Sequence, residues 1–422
     1  MIFKKYIALV RQRLDVAGVS LYMFVYKQPS LFKSFVRYLI PKRFKVRFIY
    51  IKQKSNWGFR NDKIIQIKQI RLIHIVPPLV MLKKNKYLGS FKDIASKRGV
   101  FEKLYAKNYV EYVAPKGDED LYYYLKFDYK NIKMLPKNVI FYIDIPGSFS
   151  KSVQLLRKLF PYAVIIYRAH NAESKHNYEK FMVSFNPKWL IKSVVALFSD
   201  NLLLKNVDFI DSISKYDIDS YWSRIASKDN LMKIRHLPFF YSPALLKEYF
   251  SAVSTVVPDG AKTFVCFGSI GKSNVLNNKG IQNLFEQYIR IATMMPGARF
   301  LVTGNRVGGF GSAVQKGIEF VGVVDNPNLL LARSSYLIDI SSIGYGFKTK
   351  FLDAALCGCR LVLSAIYVPR LPLEYYPLVS ILQDDGSVFD YSMHARDDLR
   401  VHALEINSNN YRHAIKLLHI SN

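Results

Sequence analysis

"SSIGYGFKTKFLDAALCGCRLVLS", residues 341–364, sets two glycines and a Lys-Thr-Lys run between strand-like apolar stretches. A P-loop needs glycine directly before its Lys-Thr pair, where the backbone bends around a phosphate. That place is taken by Phe347. A dinucleotide fingerprint needs a third glycine, and only Gly344 and Gly346 are present. What remains is a strand, "YLIDISS", then a two-glycine turn, then a helix from about Lys348 to Gly358. Phe351, Leu352, Ala355 and Leu356 form the apolar stripe of that helix, and a buried strand, "RLVLS", follows it. Lys348 and Lys350 in a first helical turn have the wrong sign for the helix dipole unless an anion sits there. Glycine lets backbone amides approach such an anion, and Asp353 offers acceptors for hydroxyls. Phosphate plus diol describes a nucleotide or a nucleotide sugar; a bland surface pair of lysines is the alternative.

The same strand–helix alternation extends in both directions. "KTFVCFGS", "ARFLVTG" and "IEFVGVV" precede the quoted stretch, with helical patterns between them. Further upstream, "NVIFYIDIP", the helix "SKSVQLLRKLF" and "AVIIYRAHNAE" form one unit, and "NVDFIDSISKYD" is another strand with a polar exit. "KYIALVRQ", the turn and helix of "DVAGVSLYMFVYKQ", and "FKVRFIYIKQ" read as the opening of the first sheet. Ligands sit outside the carboxyl ends of such strands, which makes Gly18, Asp144 and His170 cleft candidates. The expected division is an N-terminal domain at 1–245, a linker at 246–261 carrying Pro258 and Gly260, and a C-terminal domain at 262–395. A helix at 396–422 is expected to pack back over the junction. The fold class is thus α/β, two Rossmann-like doubly wound domains facing a cleft.

Composition narrows the partners. The 422 residues are half apolar, enough for two domains, and carry a formal charge of +29. Residues 1–110 hold 25 Lys+Arg against 4 Asp+Glu, so most of the excess is local. No zinc-finger, ribonucleoprotein or basic-zipper pattern accompanies it, which favours an anionic membrane surface over nucleic acid. Every long apolar stretch is interrupted by charge, and the N-terminus lacks the apolar core of a secretory signal. Cys266, Cys357 and Cys359 suit a reducing cytoplasm and cannot form a four-cysteine zinc site. The Cys357-Gly358-Cys359 segment reads as a helix end packed in the core.

The quoted stretch resembles the donor-site segment of GT-B glycosyltransferases of the retaining family-four kind. "FVCFGSIGKSNVLNNKGIQNLFE", "PGARFLVTGN" and "IEFVGVVDNPNLLLARSSYLIDISS" follow that family's order, and "AVIIYRAHNAE" and "DFIDSISKYD" are similar to its N-terminal half. The resemblance covers about 135–365. It implies that Gly344, Gly346, Phe347, Lys348, Thr349 and Lys350 hold a donor diphosphate, with Lys279 as a further cation. Asp353 would bind ribose or sugar hydroxyls, Gly322 and Val323 would frame the base, and Gly18 would let the donor approach from the other domain. Asp144 stands where the family often has a catalytic-loop histidine, and His170 would face the transferred sugar or the acceptor. Three positions depart from the pattern: Asp353 and Tyr345 stand for glutamates, and Ser269 for an arginine.

The implied activity is metal-independent, retaining transfer from a nucleotide sugar to a glycan or lipid-linked oligosaccharide acceptor, with no cofactor. The setting would be bacterial surface polysaccharide (O-antigen or capsule) assembly, on the inner face of the cytoplasmic membrane. A catalytically silent binding subunit, a sugar-nucleotide epimerase and an RNA-binding protein are the alternatives.

Overall fold

Two sheets, each of six parallel strands with one antiparallel strand added at an edge, organise the chain. The computed structural model describes residues 58–60, 70–78, 89–114, 118–127, 132–259, 262–267, 275–304, 317–340, 346–383, 388–390 and 395–419. The three elements expected within residues 1–54, together with Gly18, Ser269, Gly344 and Tyr345, lie outside the described residues.

The first sheet comprises β1 (Gly58–Arg60), β2 (Leu72–Val76), β3 (Tyr109–Val113), β4 (Ile140–Ile143), β5 (Val164–Ala169), β6 (Phe209–Ser212) and β7 (Ile234–His236). Their spatial order is β1-β3-β2-β4-β5-β6-β7, with β1 antiparallel on β3. Helices α1 (Gly89–Tyr105), α2 (Asp118–Phe127), α3 (Ser150–Leu159), α4 (Glu173–Ser184) and α5 (Pro187–Asn206) make the crossovers. Strands β2 to β6 are buried on both faces because helices cover both sides of a parallel sheet, and His74, Glu111, Arg168 and Asp211 are buried within them. After α6 (Pro243–Phe250) comes the second sheet: β8 (Thr263–Phe267), α7 (Val275–Met294), β9 (Arg299–Thr303), β10 (Ile318–Gly322), α8 (Pro327–Arg333) and β11 (Tyr336–Asp339). It continues with α9 (Lys350–Leu356), β12 (Arg360–Ser364), β13 (Val379–Leu382) and β14 (Val388–Asp390). Its order, β10-β9-β8-β11-β12-β13-β14, reverses direction between β8 and β11. The matching reversal in the first sheet falls between β2 and β4. These two points are where open α/β sheets form ligand crevices.

Strands β2 and β3 do not stand out in the sequence, because each apolar run is broken by a polar residue, His74 and Glu111, and both of these are buried. Helix α10 (Arg396–Leu418) joins the halves. Leu399, Ala403 and Ile406 enter the core of the second sheet, while Ala414 and Leu418 enter that of the first, beside Leu72, Phe101 and Leu237. Asn407 clamps the backbone N–H and C=O of Tyr241, at 2.7 and 3.1 Å. Cys357 and Cys359 are buried, and burial pushes the Cys359 thiol up to about 12. Their thiols donate to carbonyls of α8 and its exit, so both are core residues.

Candidate functional site

Asp339 ends β11 at the reversal point of the second sheet and is nearly fully buried. An isolated buried carboxylate is costly, so it must be paired. Lys348 Nζ donates to both of its oxygens, at 3.0 and 2.9 Å, and Lys350 Nζ lies 2.6 Å from Oδ2 while donating to Phe267 O at 3.1 Å. Two ammonium groups share one carboxylate, leaving a net positive charge at the crevice. The side chains of Lys348 and Lys350 are 24% and 26% exposed, against 5% for Asp339. Burial pulls the pKa of Lys348 down and Asp339 opposes this. The start of α9 adds amide dipoles of the same sign.

Gly346 precedes this pair in the turn. Its φ is +84°, and a Cβ there would meet the backbone oxygen of His170 at 2.7 Å and the side chain of Asn171 closer still. Glycine alone fits, because the turn closes directly onto the loop leaving β5. The Gly346 N–H donates to the Asp217 carboxylate, 3.2 and 3.1 Å from its two oxygens, and Ala172 N–H donates to the same group at 3.0 Å. Asp217 therefore joins the two halves across the crevice. Opposite, Gly89 at the start of α1 admits the Thr349 side chain, whose Oγ1 would lie 2.6 Å from a Cβ at that position.

Burial pushes the Asp217 carboxyl up to about 7, with the amide hydrogen bonds opposing. The folded pKa lies above the ordinary 3.8, so protonation stabilises the fold in full below about pH 4, and this contribution is lost as pH rises through 7. Asp217→Asn is expected to remove one proton's share of that slope, about 1.4 kcal/mol per pH unit between pH 4 and 7. Denaturant unfolding of both proteins at several pH values checks this. Asp200, also raised to about 7 by burial, keeps its own share in the variant.

The first sheet supplies a buried polar network at its own strand exits. Asp144 is fully buried: Oδ1 accepts from His170 Nε2 at 2.9 Å, while Oδ2 accepts from His74 Nε2 at 2.9 Å and pairs with Lys97 Nζ at 3.1 Å. Lys97 also reaches Asp93 at 2.5 Å, and the Arg168 guanidinium holds the two Asp93 oxygens at 3.0 and 2.8 Å. Burial raises the Asp144 pKa, but Lys97 and the two histidine hydrogen bonds outweigh it and hold the carboxyl well below its usual range. Asp93, Asp144 and His170 are spaced closely enough for a metal. Yet Lys97 and Arg168 already balance the two carboxylates, which leaves no net negative charge to attract a cation. His170 is 9% exposed, with Nδ1 3.6 Å from Asp93. Asp144 thus reaches the crevice only through the ring of His170, and its geometry is that of a positioning group.

Asp353 faces inward from α9. It accepts from Lys92 Nζ of α1 at 2.5 Å and from the Tyr241 hydroxyl, so both of its oxygens are used inside the protein. Its ties run between the two sheets' helices. Phe347 packs against Tyr375 and Phe239, ring centroids 5.2 and 6.4 Å away. Lys279, in the early part of α7, is 4.0 Å from Glu286. Gly322 ends edge strand β10 with φ +73°, and exposed Val323 follows it. That edge is three strands from β11, about 14 Å along the sheet. The structure therefore brings together Gly346, Lys348, Thr349 and Lys350, with His170 across the crevice. It adds Asp339, Asp217, Gly89 and Lys92, which the sequence reading missed. Gly89-Ser90 before a helical pattern was the one available signal among these four.

Comparison with protein-family models and with curated proteins returns no match. Solved structures do match. A sucrose-phosphate synthase from Thermosynechococcus elongatus aligns at TM-score 0.50 and 15% identity, covering 83% of this chain and 95% of its own. An E. coli structure described as trehalose-6-phosphate bound with UDP-2-fluoro glucose aligns at 0.53 and 11%, covering 82% and 98%. A trehalose-6-phosphate synthase studied for glycosyltransfer with retention aligns at 0.52 and 11%, with the same coverage. The likeness establishes the fold: two Rossmann-like domains in the GT-B arrangement.

Proposed function

We propose that the chain is a glycosyltransferase that takes a sugar from a nucleoside-diphosphate donor. The observation that carries this reading is the pair of lysines on Asp339, set at the sheet's reversal point beside a helix start. During transfer the bond from the anomeric carbon to the diphosphate breaks and its electron pair stays on the diphosphate, while an acceptor hydroxyl oxygen bonds to the carbon and its proton passes to the departing diphosphate oxygen. Lys348 and Lys350 meet the charge that grows on the leaving group, and fixed cations do this without reorganisation. The structural neighbour with UDP-2-fluoro glucose favours uridine diphosphate, and the one studied for retention favours a retaining course. His170, held by Asp144, borders the sugar; the turn from Gly346 to Lys350 holds the diphosphate.

The lysines serve in place of a metal, and no cofactor is needed. The acceptor in this reading is a glycan, lipid-linked, in bacterial surface polysaccharide assembly, and the basic first quarter draws the enzyme to the inner membrane face. No helix among the described residues is long and apolar enough to cross a membrane. A second reading, a nucleotide-binding subunit without transfer, draws on Asp353 being taken up by Lys92 and Tyr241 instead of facing the crevice.

Calorimetry with UDP, GDP and their sugars, with and without EDTA, tests the donor site. Binding of one nucleotide that survives EDTA supports it, and no binding by any nucleotide removes it. Slow hydrolysis of the bound donor separates the enzyme from the silent subunit.

A further inference from the structure

Asp217 lies in a single helical turn, Lys215–Asp217, shortly after β6, and is 1% exposed. Ser214 caps that turn by accepting from the Asp217 N–H at 3.2 Å. The carboxyl accepts from two amides that belong to different halves of the chain. One is Ala172, just before α4; the other is Gly346, 129 residues further on, in the turn that carries Lys348 and Lys350. A second contact lies beside it. Arg370, in the segment after β12, reaches Glu179 of α4 at 3.5 Å and sets its guanidinium 5.3 Å from the centre of the Tyr216 ring. Both contacts join turns and helix surfaces, so the halves can part here without breaking either sheet.

We propose that Asp217 is a proton-operated latch on the crevice: with its carboxyl neutral it holds the Gly346 turn against the loop leaving β5, and with its carboxyl ionised it releases that turn. A buried carboxylate needs a paired charge. Asp144 and Asp339 have lysines for this, whereas Asp217 has no ion pair among the described residues. The groups that face it are Glu179 from α4, Arg370 and Tyr367 from the segment after β12, and Ser214 from its own turn. Glu179 disfavours a second negative charge, Arg370 is taken up by Glu179, and burial keeps the Tyr367 phenol neutral. The amides of Gly346 and Ala172 and the Ser214 hydroxyl oppose burial without overcoming it, so the carboxyl titrates at about 7. Released into water it returns to the ordinary 3.8. The closed state has the higher pKa, so the latch holds in full below about pH 4 and weakens about tenfold per unit as pH rises to about 7.

The use of the latch rests on the donor reading of the same turn. A diphosphate beside Lys348 and Lys350 brings negative charge towards Asp217 and favours its neutral form. The donor then takes up a proton as it binds and draws the crevice closed.

Hydrogen–deuterium exchange of the full chain without ligand, between about pH 5 and pH 8 and corrected for the intrinsic pH dependence of exchange, tests the latch. Peptides covering Gly346 and Ala172 are expected to lose protection about tenfold per pH unit up to about 7 and to level off above it. Asp217→Asn keeps an acceptor and cannot ionise, so its protection should be flat with pH. Asp217→Ala should lack that protection at every pH while peptides from β5 and β11 stay protected. Two results overturn the latch. One is protection at Gly346 equal to that of β5 and β11, which would mean that the turn opens only when the whole chain unfolds. The other is a pH slope that survives in Asp217→Asn. Calorimetry with UDP-glucose at about pH 7.5, in Tris and in HEPES, tests the coupling, since a heat that depends on the buffer reports proton uptake. Uptake is expected in the native chain and not in Asp217→Asn. Binding without uptake overturns the coupling, whereas no binding by either protein counts against the donor reading and leaves the exchange result to decide the latch.

Discussion

Lys350→Ala is expected to lower kcat/KM with a nucleotide-sugar donor by about 10²–10³, the usual loss when one fixed group facing transition-state charge is removed. The fold should survive, since Lys348 still donates to both oxygens of Asp339 and keeps that buried carboxylate paired. Nucleotide affinity and turnover divide the effect. If the lysine meets charge that grows during bond cleavage, kcat falls more than the affinity for the intact donor sugar, while affinity for free diphosphate falls with it. Lys350→Arg keeps the charge but not the ammonium geometry that reaches both Asp339 and Phe267 O, so partial recovery is expected. Kinetics under saturating donor, alongside calorimetry with the free nucleotide, check all three statements. Unchanged kinetics in the alanine variant would remove the diphosphate from this turn.

Asp353→Ala is expected to destabilise the protein by about 3–5 kcal/mol, because it leaves the Lys92 ammonium buried without its carboxylate. The pair is almost fully enclosed, side chains 2% and 6% exposed, and the Tyr241 hydroxyl loses its acceptor in the same step. A fall in melting temperature of roughly 5 °C is the corresponding observable for a chain of this length. Asp353→Asn retains the shape and one acceptor and should cost less. The double variant Lys92→Met/Asp353→Leu should recover much of the loss, since a buried ion pair replaced on both sides by apolar groups is often neutral. Recovery would show that the penalty is that of an orphaned charge.

The second sheet is legible because its strands are mostly apolar runs, with charge near their ends at Glu319 and Asp339: "KTFVCFGS", "ARFLVTG", "IEFVGVV", "YLIDISS" and "RLVLS" coincide with β8 to β12. The first sheet is legible from β4 to β6 and not at β2 and β3, where a buried histidine and glutamate mimic the pattern of a half-solvated strand. The lysines of the donor turn could be read as a charge out of place at a helix start. Their carboxylate could not, since Asp339 gains meaning only when the turn folds Lys348 and Lys350 back over the end of β11. Asp353 shows the limit of reading by spacing. Its place on α9 relative to Lys350 suggested one crevice-facing surface, but its partner Lys92 is 261 residues away, on a helix whose packing no local pattern reports.

Helix α10 imposes an order on synthesis. The strands of the first sheet are all made once His236 leaves the ribosome, yet Ala414 and Leu418 belong to the core beneath that sheet. At about 5–20 residues per second, the roughly 180 residues between them take some 10–40 seconds to appear. For that interval the apolar positions around Phe101 and Leu237 lack the helix that covers them in the finished protein.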